Sequence, residues 1–103
     1  MTLLVIADCP NSTTAAAVLS DALVSVGQLR QSFTTVLIDS LEEAELHEFI
    51  GSPSIHVDGC DIMPVPGAQP AVACRTYVHA DGSRTGIPDT DALIRALSAV
   101  LNP

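Results

Sequence analysis

Leu3-Leu4-Val5-Ile6-Ala7-Asp8-Cys9-Pro10-Asn11-Ser12 is the stretch on which the fold turns. Leu3 to Ala7 is a continuous apolar run, the pattern of a strand buried on both faces. Asp8 to Ser12 breaks that run. Apolar residues then recur at helical spacing: Ala15, Val18, Leu19, Ala22, Leu23, Val26 and Leu29. This spacing predicts a long amphipathic helix over roughly residues 12–30. A buried strand running straight into such a helix is the first half of a β-α-β unit.

The rest of the chain extends the alternation. Phe33 to Ile38 reads as a second strand, and Ser40-Leu41-Glu42-Glu43 as a capping box opening a short helix that reaches Phe49 and stops at Gly51. Ser54 to Asp58 reads as a third strand ending at Gly59, residues 60–70 as a Pro- and Gly-rich loop, and Ala71 to His79 as a fourth strand. Asp81-Gly82 marks a turn, after which Arg84 to Pro88 leads on. Asp89 is the N-cap of a last helix with Leu93, Leu97, Val100 and Leu101 on one face. The expected order is β-α-β-α-β-β-α. The first two strands are expected to be parallel with a right-handed crossover, and the third and fourth to form an antiparallel hairpin. The fold class is therefore α/β, a central four-stranded mixed sheet flanked by helices, in one domain spanning residues 1–103.

Composition narrows the function. Of 103 residues 48% are apolar but only 3% aromatic, so the core is built from Ala, Val, Leu and Ile, and no Trp offers a stacking platform. The formal net charge is −8 and the only basic side chains besides histidine are Arg30, Arg75, Arg84 and Arg95. Nucleic-acid binding needs clustered cations, so it is excluded as a main role, and anionic membrane surfaces are disfavoured for the same reason. The start of the chain lacks the basic region and apolar core of a signal peptide, and no run approaches the ~18–20 apolar residues of a membrane span. Three cysteines are too few for a disulfide scaffold. The expected setting is a reducing, cytoplasmic one. Gly-rich phosphate loops are absent, and His47, His56 and His79 lack metal-ligand spacing, although His56 and His79 are expected on neighbouring strands. No cofactor or metal is expected. Three cysteines also fall short of the four that hold an iron–sulfur cluster.

Cys9 lies where a strand ends and a helix begins. Helix N–H groups and the helix dipole there favour a thiolate, and Pro10 suits a first helical turn. Asp8 beside it is either a helix-entry residue or a proton acceptor. Pro53 precedes the third strand, where proline is tolerated on backbone grounds alone. The topology nevertheless brings that strand's start beside the end of the first.

Cys9-Pro10 at the first helix, Ser52-Pro53 before the third strand and the β-β-α tail together resemble the thioredoxin and glutaredoxin superfamily over essentially the whole chain. More narrowly, Asp8-Cys9-Pro10-Asn11, Gly51-Ser52-Pro53 with Ile55 and Val57-Asp58-Gly59, and Cys74-Arg75 with Tyr77 are similar to small bacterial thioredoxin-family proteins. Some of these carry "alkylmercury lyase-like" or "DF family (seleno)protein" labels. The resemblance implies that Pro53 is a cis-proline facing the active-site Cys9. Position 12 departs from the dithiol pattern: it is Ser12, so the motif is a monothiol Cys-Pro-Asn-Ser and cannot close the usual four-residue disulfide. The expected site is an exposed Cys9 thiolate, with Ser12 capping the helix or hydrogen-bonding the sulfur and Pro53 shaping the groove. Its chemistry is thiol–disulfide exchange, or capture of a thiol-reactive species. The partners are a small thiol or a protein disulfide. The alternative is a non-catalytic module of the same fold that binds a protein or a soft metal, an organomercurial-related role included.

Three readings stand for Cys74: a buried apolar residue, a pair with Cys60, or a co-worker of Cys9. Cys60 is either a loop thiol or Cys74's partner. At ~4.8 Å per strand step, Cys74 falls roughly 10 Å from the first strand's axis. A disulfide needs Cα atoms within about 7 Å, so bridging Cys60 to Cys74 is easier than bridging either to Cys9.

Overall fold

A computed structural model describes residues 1–102. The elements are β1 (Thr2–Val5), α1 (Ser12–Ser25), β2 (Thr34–Leu37), α2 (Leu41–His47), β3 (Ser54–Val57), β4 (Cys60–Asp61), β5 (Tyr77–Val78), β6 (Arg84–Thr85) and α3 (Thr90–Leu101). Strands β1 to β4 form a mixed four-stranded sheet in the order β2-β1-β3-β4, and β5 and β6 form a separate two-stranded one. β1 runs parallel to β2, with Thr2 opposite Thr34, and antiparallel to β3, with Leu4 opposite Ser54.

The sheet separates two apolar clusters. Leu3, Val5 and Ile55 point to one side, against Ala15, Leu19, Ala22 and Leu23 of α1 and Leu93 and Leu97 of α3. Leu4 points to the other side, with Ile38, Ala44 and Phe49 around α2. This is the period-two alternation of a strand covered on both faces. It accounts for the unbroken apolar run from Leu3.

Helix boundaries follow local chemistry. α1 stops at Ser25, earlier than the apolar spacing predicts. Gly27 takes a left-handed φ of 79°, the Gln28 N–H donates to the Leu23 carbonyl at 2.9 Å, and the Gly27 N–H donates to the Val24 carbonyl at 3.0 Å. That is a Schellman stop, and it leaves Leu29 exposed. Ser40 caps α2 as expected, accepting from the Glu43 N–H at 3.1 Å, and Asp89 caps α3, accepting from the Ala92 N–H at 3.0 Å. α2 ends at His47 because Glu48 is left-handed, so Gly51 is not its terminator. A Cβ on Gly51 would lie 2.6 Å from the Arg75 Cβ, so this glycine is needed for close packing.

The fourth strand differs from expectation. β3 returns at once through Asp58 and Gly59, both left-handed at φ 53° and 81°. Such a pair forms the two-residue turn that matches strand twist. The hairpin partner of β3 is therefore Cys60–Asp61, not residues 71–79. The segment 71–79 instead contributes one parallel bridge, Cys74 opposite Ser52, and the short β5 that pairs with β6 across the Asp81-Gly82 turn. No helix among the described residues is long and apolar enough to cross a membrane.

Candidate functional site: the Cys9 turn and the Ser52-Pro53 loop

Between β1 and α1 the chain turns through Asp8, which is exposed and left-handed at φ 56°. Cys9 follows and is buried, only 8% exposed, which corrects the expectation of an exposed thiolate. The Ser12 N–H and the Ser12 hydroxyl donate to the Cys9 carbonyl at 3.3 and 3.1 Å. Ser12 is thus the first residue of α1, neither its cap nor a donor to the sulfur. The N-cap position is Asn11, whose side chain makes no capping bond. Gly86 packs closely against Asn11, since a Cβ on Gly86 would sit 2.1 Å from its Nδ2.

Pro53 is fully buried, and the Ser52-Pro53 bond is cis, as the resemblance implies. The loop is fixed to the residue that follows β1: the Ile6 N–H donates to Ser52 Oγ at 3.1 Å. It is fixed on its other side by Tyr77, whose hydroxyl donates to the Pro53 carbonyl. Burial raises the Tyr77 phenol well above its ordinary value, so it remains a protonated donor. Ser52 itself is completely buried. Its backbone accepts from the Arg75 N–H at 3.0 Å and donates to the Ala73 carbonyl at 2.8 Å.

These bonds set the positions of the cysteines. Ile6, Ser52 and Cys74 follow one another laterally across the Cys9 end of the sheet. Cys74 is exposed and not part of the core, because its segment lies on the rim with a single bridge to the sheet. Cys60 is also exposed, and all three thiols are free. Cys60 and Cys74 lie at opposite ends of β3, near Val57 and Ser52 respectively. At about 3.3 Å per residue that separation is roughly 16 Å, which rules out the bridge thought easiest from sequence.

Arg75 and Ser54 stand in the quoted motif and the third strand, but the bonds they make were not legible from sequence. Arg75 Nη1 donates to Asp61 Oδ2 at 2.8 Å and to Ser54 Oγ at 3.0 Å, while Nη2 donates to the Met63 carbonyl at 2.8 Å. Its guanidinium lies 4.4 Å from the Tyr77 ring centroid. Arg75 thereby clamps β3, β4 and the following loop around Pro53. The available signal was an arginine flanked by Ala73 and Tyr77 within an otherwise uncharged run.

The histidines are apart. His79 sits beyond β5, with Nε2 2.9 Å from both Thr85 Oγ1 and the Ile87 carbonyl, and Nδ1 3.4 Å from Asp89. His56 is on β3 in the other sheet, buried, with no partner for Nε2. The expected approach of His56 and His79 across a hairpin fails because their strands belong to different sheets. Among the described residues no group of three or more His, Cys, Asp or Glu side chains is arranged to hold a metal ion. Among the described residues, three surface cavities stand out, and Cys9, Ser12 and Pro53 line none of these.

Comparison of the chain with protein-family models, with curated proteins and with solved structures finds no match.

Proposed function

We propose that this chain is a monothiol thioredoxin-like protein whose Cys9 undergoes thiol–disulfide exchange. The observation that carries the reading is the Ile6 N–H to Ser52 Oγ bond, which ties the strand leading to Cys9 to the loop bearing Pro53. The order β2-β1-β3-β4, with β1 parallel to β2 and antiparallel to β3, supports it. In the proposed step the Cys9 thiolate attacks one sulfur of a disulfide. A Cys9 mixed disulfide forms, and the other sulfur leaves as a thiolate. A small external thiol, deprotonated, then attacks the partner's sulfur of the mixed disulfide. It forms a new disulfide with that sulfur and returns Cys9 as thiolate. Pro53, buried in the loop tied to the residue after β1, presents no N–H on the Cys9 side of that loop. Ser12 acts through the backbone by fixing the Cys9 carbonyl.

A second reading, a non-catalytic module of the same fold, is favoured by the burial of Cys9. The partner proposed for such a module is a protein; among the described residues no group of three or more His, Cys, Asp or Glu is arranged to hold a metal ion. The double variant Cys60→Ser/Cys74→Ser separates the two, since it leaves Cys9 as the only thiol. The redox reading expects this protein, while folded, to react with Ellman's reagent and to turn over hydroxyethyl disulfide with a small-thiol reductant. It also expects Cys9→Ser to abolish both. Reaction of Cys9 only after denaturation would rule out exchange and leave the binding module.

A further inference from the structure

The largest of the three cavities, about 610 Å³, lies between α3, β5 and the loop after β4. This is within the range of roughly 300–1,000 Å³ typical of small-molecule sites. Its walls are mostly apolar, with Ile50, Ile62, Met63 and Val65 from the loop side and Ala92 and Ala96 from α3, while Thr76 and Tyr77 add polar groups. The two alanines are four apart on one helix face, and their small side chains leave the space open.

The charge of this cavity is opposite to that of the molecule. The chain has twelve acidic residues and four arginines, yet two of those arginines, Arg75 and Arg84, line the cavity and no Asp or Glu does. The other two cavities each include a carboxylate, Glu48 in both and Asp61 in one. Arg75 is spent on Asp61, Ser54 and Met63. Arg84 is exposed and pairs with no carboxylate among the described residues. A mostly apolar, open pocket with one uncommitted guanidinium at its wall fits a ligand with an apolar body and a single negative end.

We propose that this cavity binds a medium-chain amphipathic carboxylate, its carboxylate on Arg84 and its chain against Ile62, Met63, Ala92 and Ala96. The site is independent of Cys9 and does not rest on the exchange chemistry. Neither a lone phosphate nor a polyanion fits it, because the apolar walls give them nothing and the net charge of −8 repels them.

The test titrates decanoate, below its micelle concentration and at physiological salt, into the ¹⁵N-labelled protein. Decylamine and acetate serve as controls. The expected result is saturable binding of decanoate with amide shifts at Arg84, Ala92 and Ala96. Decylamine is expected to bind more weakly, and acetate to show no binding. From octanoate to decanoate each methylene should tighten binding by about three- to fourfold. Arg84→Ala should weaken decanoate by about fivefold, Arg84→Glu further, and Arg84→Lys should retain most of the affinity. Ala96→Phe should fill the chamber and abolish binding, provided its circular dichroism is unchanged. Arg84 is on the surface, so its variants keep the test sound if Ala96→Phe misfolds. Equal binding of the acid and the amine, unchanged affinity in Arg84→Glu, or no saturation at all would overturn the proposal.

Discussion

The guanidinium of Arg75 donates to Asp61, Ser54 and the Met63 carbonyl while lying against the Tyr77 ring. Its side chain is 6% exposed and that of Asp61 11%, so salt screens this ion pair far less than one on the surface. Removing one member of such a pair strands the other charge. Arg75→Met should therefore destabilise the protein by about 3–5 kcal/mol in urea denaturation. Adding Asp61→Asn should recover part of that loss, because no unpaired carboxylate is then left behind. A simple loss of side-chain packing would make the two changes additive instead. His56 behaves differently. Burial lowers its pKa below 6.5, and around it Asp61 and Glu48 oppose that shift while His47 and Arg75 add to it. With the folded pKa below the unfolded one, the unfolded chain takes up the proton first. Stability attributable to His56 is thus fully present above about pH 6.5 and is lost as the pH falls towards its folded pKa. Denaturation curves at pH 7.5 and 5.5 should diverge more for the native protein than for His56→Leu. An equal divergence would mean that His56 is not the titrating group.

At the scale of elements, the β3–β4 hairpin depends on two adjacent left-handed residues, Asp58 and Gly59. Aspartate tolerates this conformation better than most residues, and glycine adopts it freely. Gly59→Ala has open space for its Cβ, so its cost is conformational: about 1–2 kcal/mol by thermal or urea unfolding. An unchanged stability would show that the turn relaxes into another type. This hairpin also marks where the sequence ceased to be readable. The frame of β1, α1, β2, the two side-chain caps and α3 was legible because each rests on local periodicity or a capping residue. Asp58-Gly59 looked like the end of a strand, when its chemistry is that of a two-residue hairpin. The apolar content of Ala71 to His79 then drew the fourth strand to the wrong segment. Ser52-Pro53 as a neighbour of the first strand's end was legible from topology. The burial of Cys9 was not. Solvent access depends on what the turn's backbone bonds do with the side chain, and Ser12 spends its hydroxyl on a carbonyl that no motif marks. The clamp by Arg75 was equally hidden, since its partners come from positions 54, 61 and 63.

The whole molecule carries its formal charge of −8 within dimensions of 35 × 30 × 25 Å. In 10 mM salt the screening length is about 30 Å, so every charge acts on every other; at 0.15 M it is about 8 Å and only neighbours interact. Unfolding spreads the same charges through a coil of roughly 30 Å radius of gyration, which relieves repulsion that the folded state retains. Salt should therefore stabilise the folded protein. The opposing effect is small, because salt has few favourable pairs to weaken. Arg75–Asp61 is buried, and the other pair found among the described residues, His79–Asp89, is a single contact at 3.4 Å. Treating the charge as spread over a sphere gives a gain of about 1 kcal/mol between 10 mM and 0.15 M NaCl. For a domain of this length that corresponds to a rise of roughly 4–8 °C in Tm. Thermal melts at pH 7.5 across that NaCl range test it, with tetramethylammonium chloride as a second salt to separate screening from binding of sodium. A rise shared by both salts supports repulsion as the cause. A flat or falling Tm would mean that attractive surface pairs outweigh the net charge.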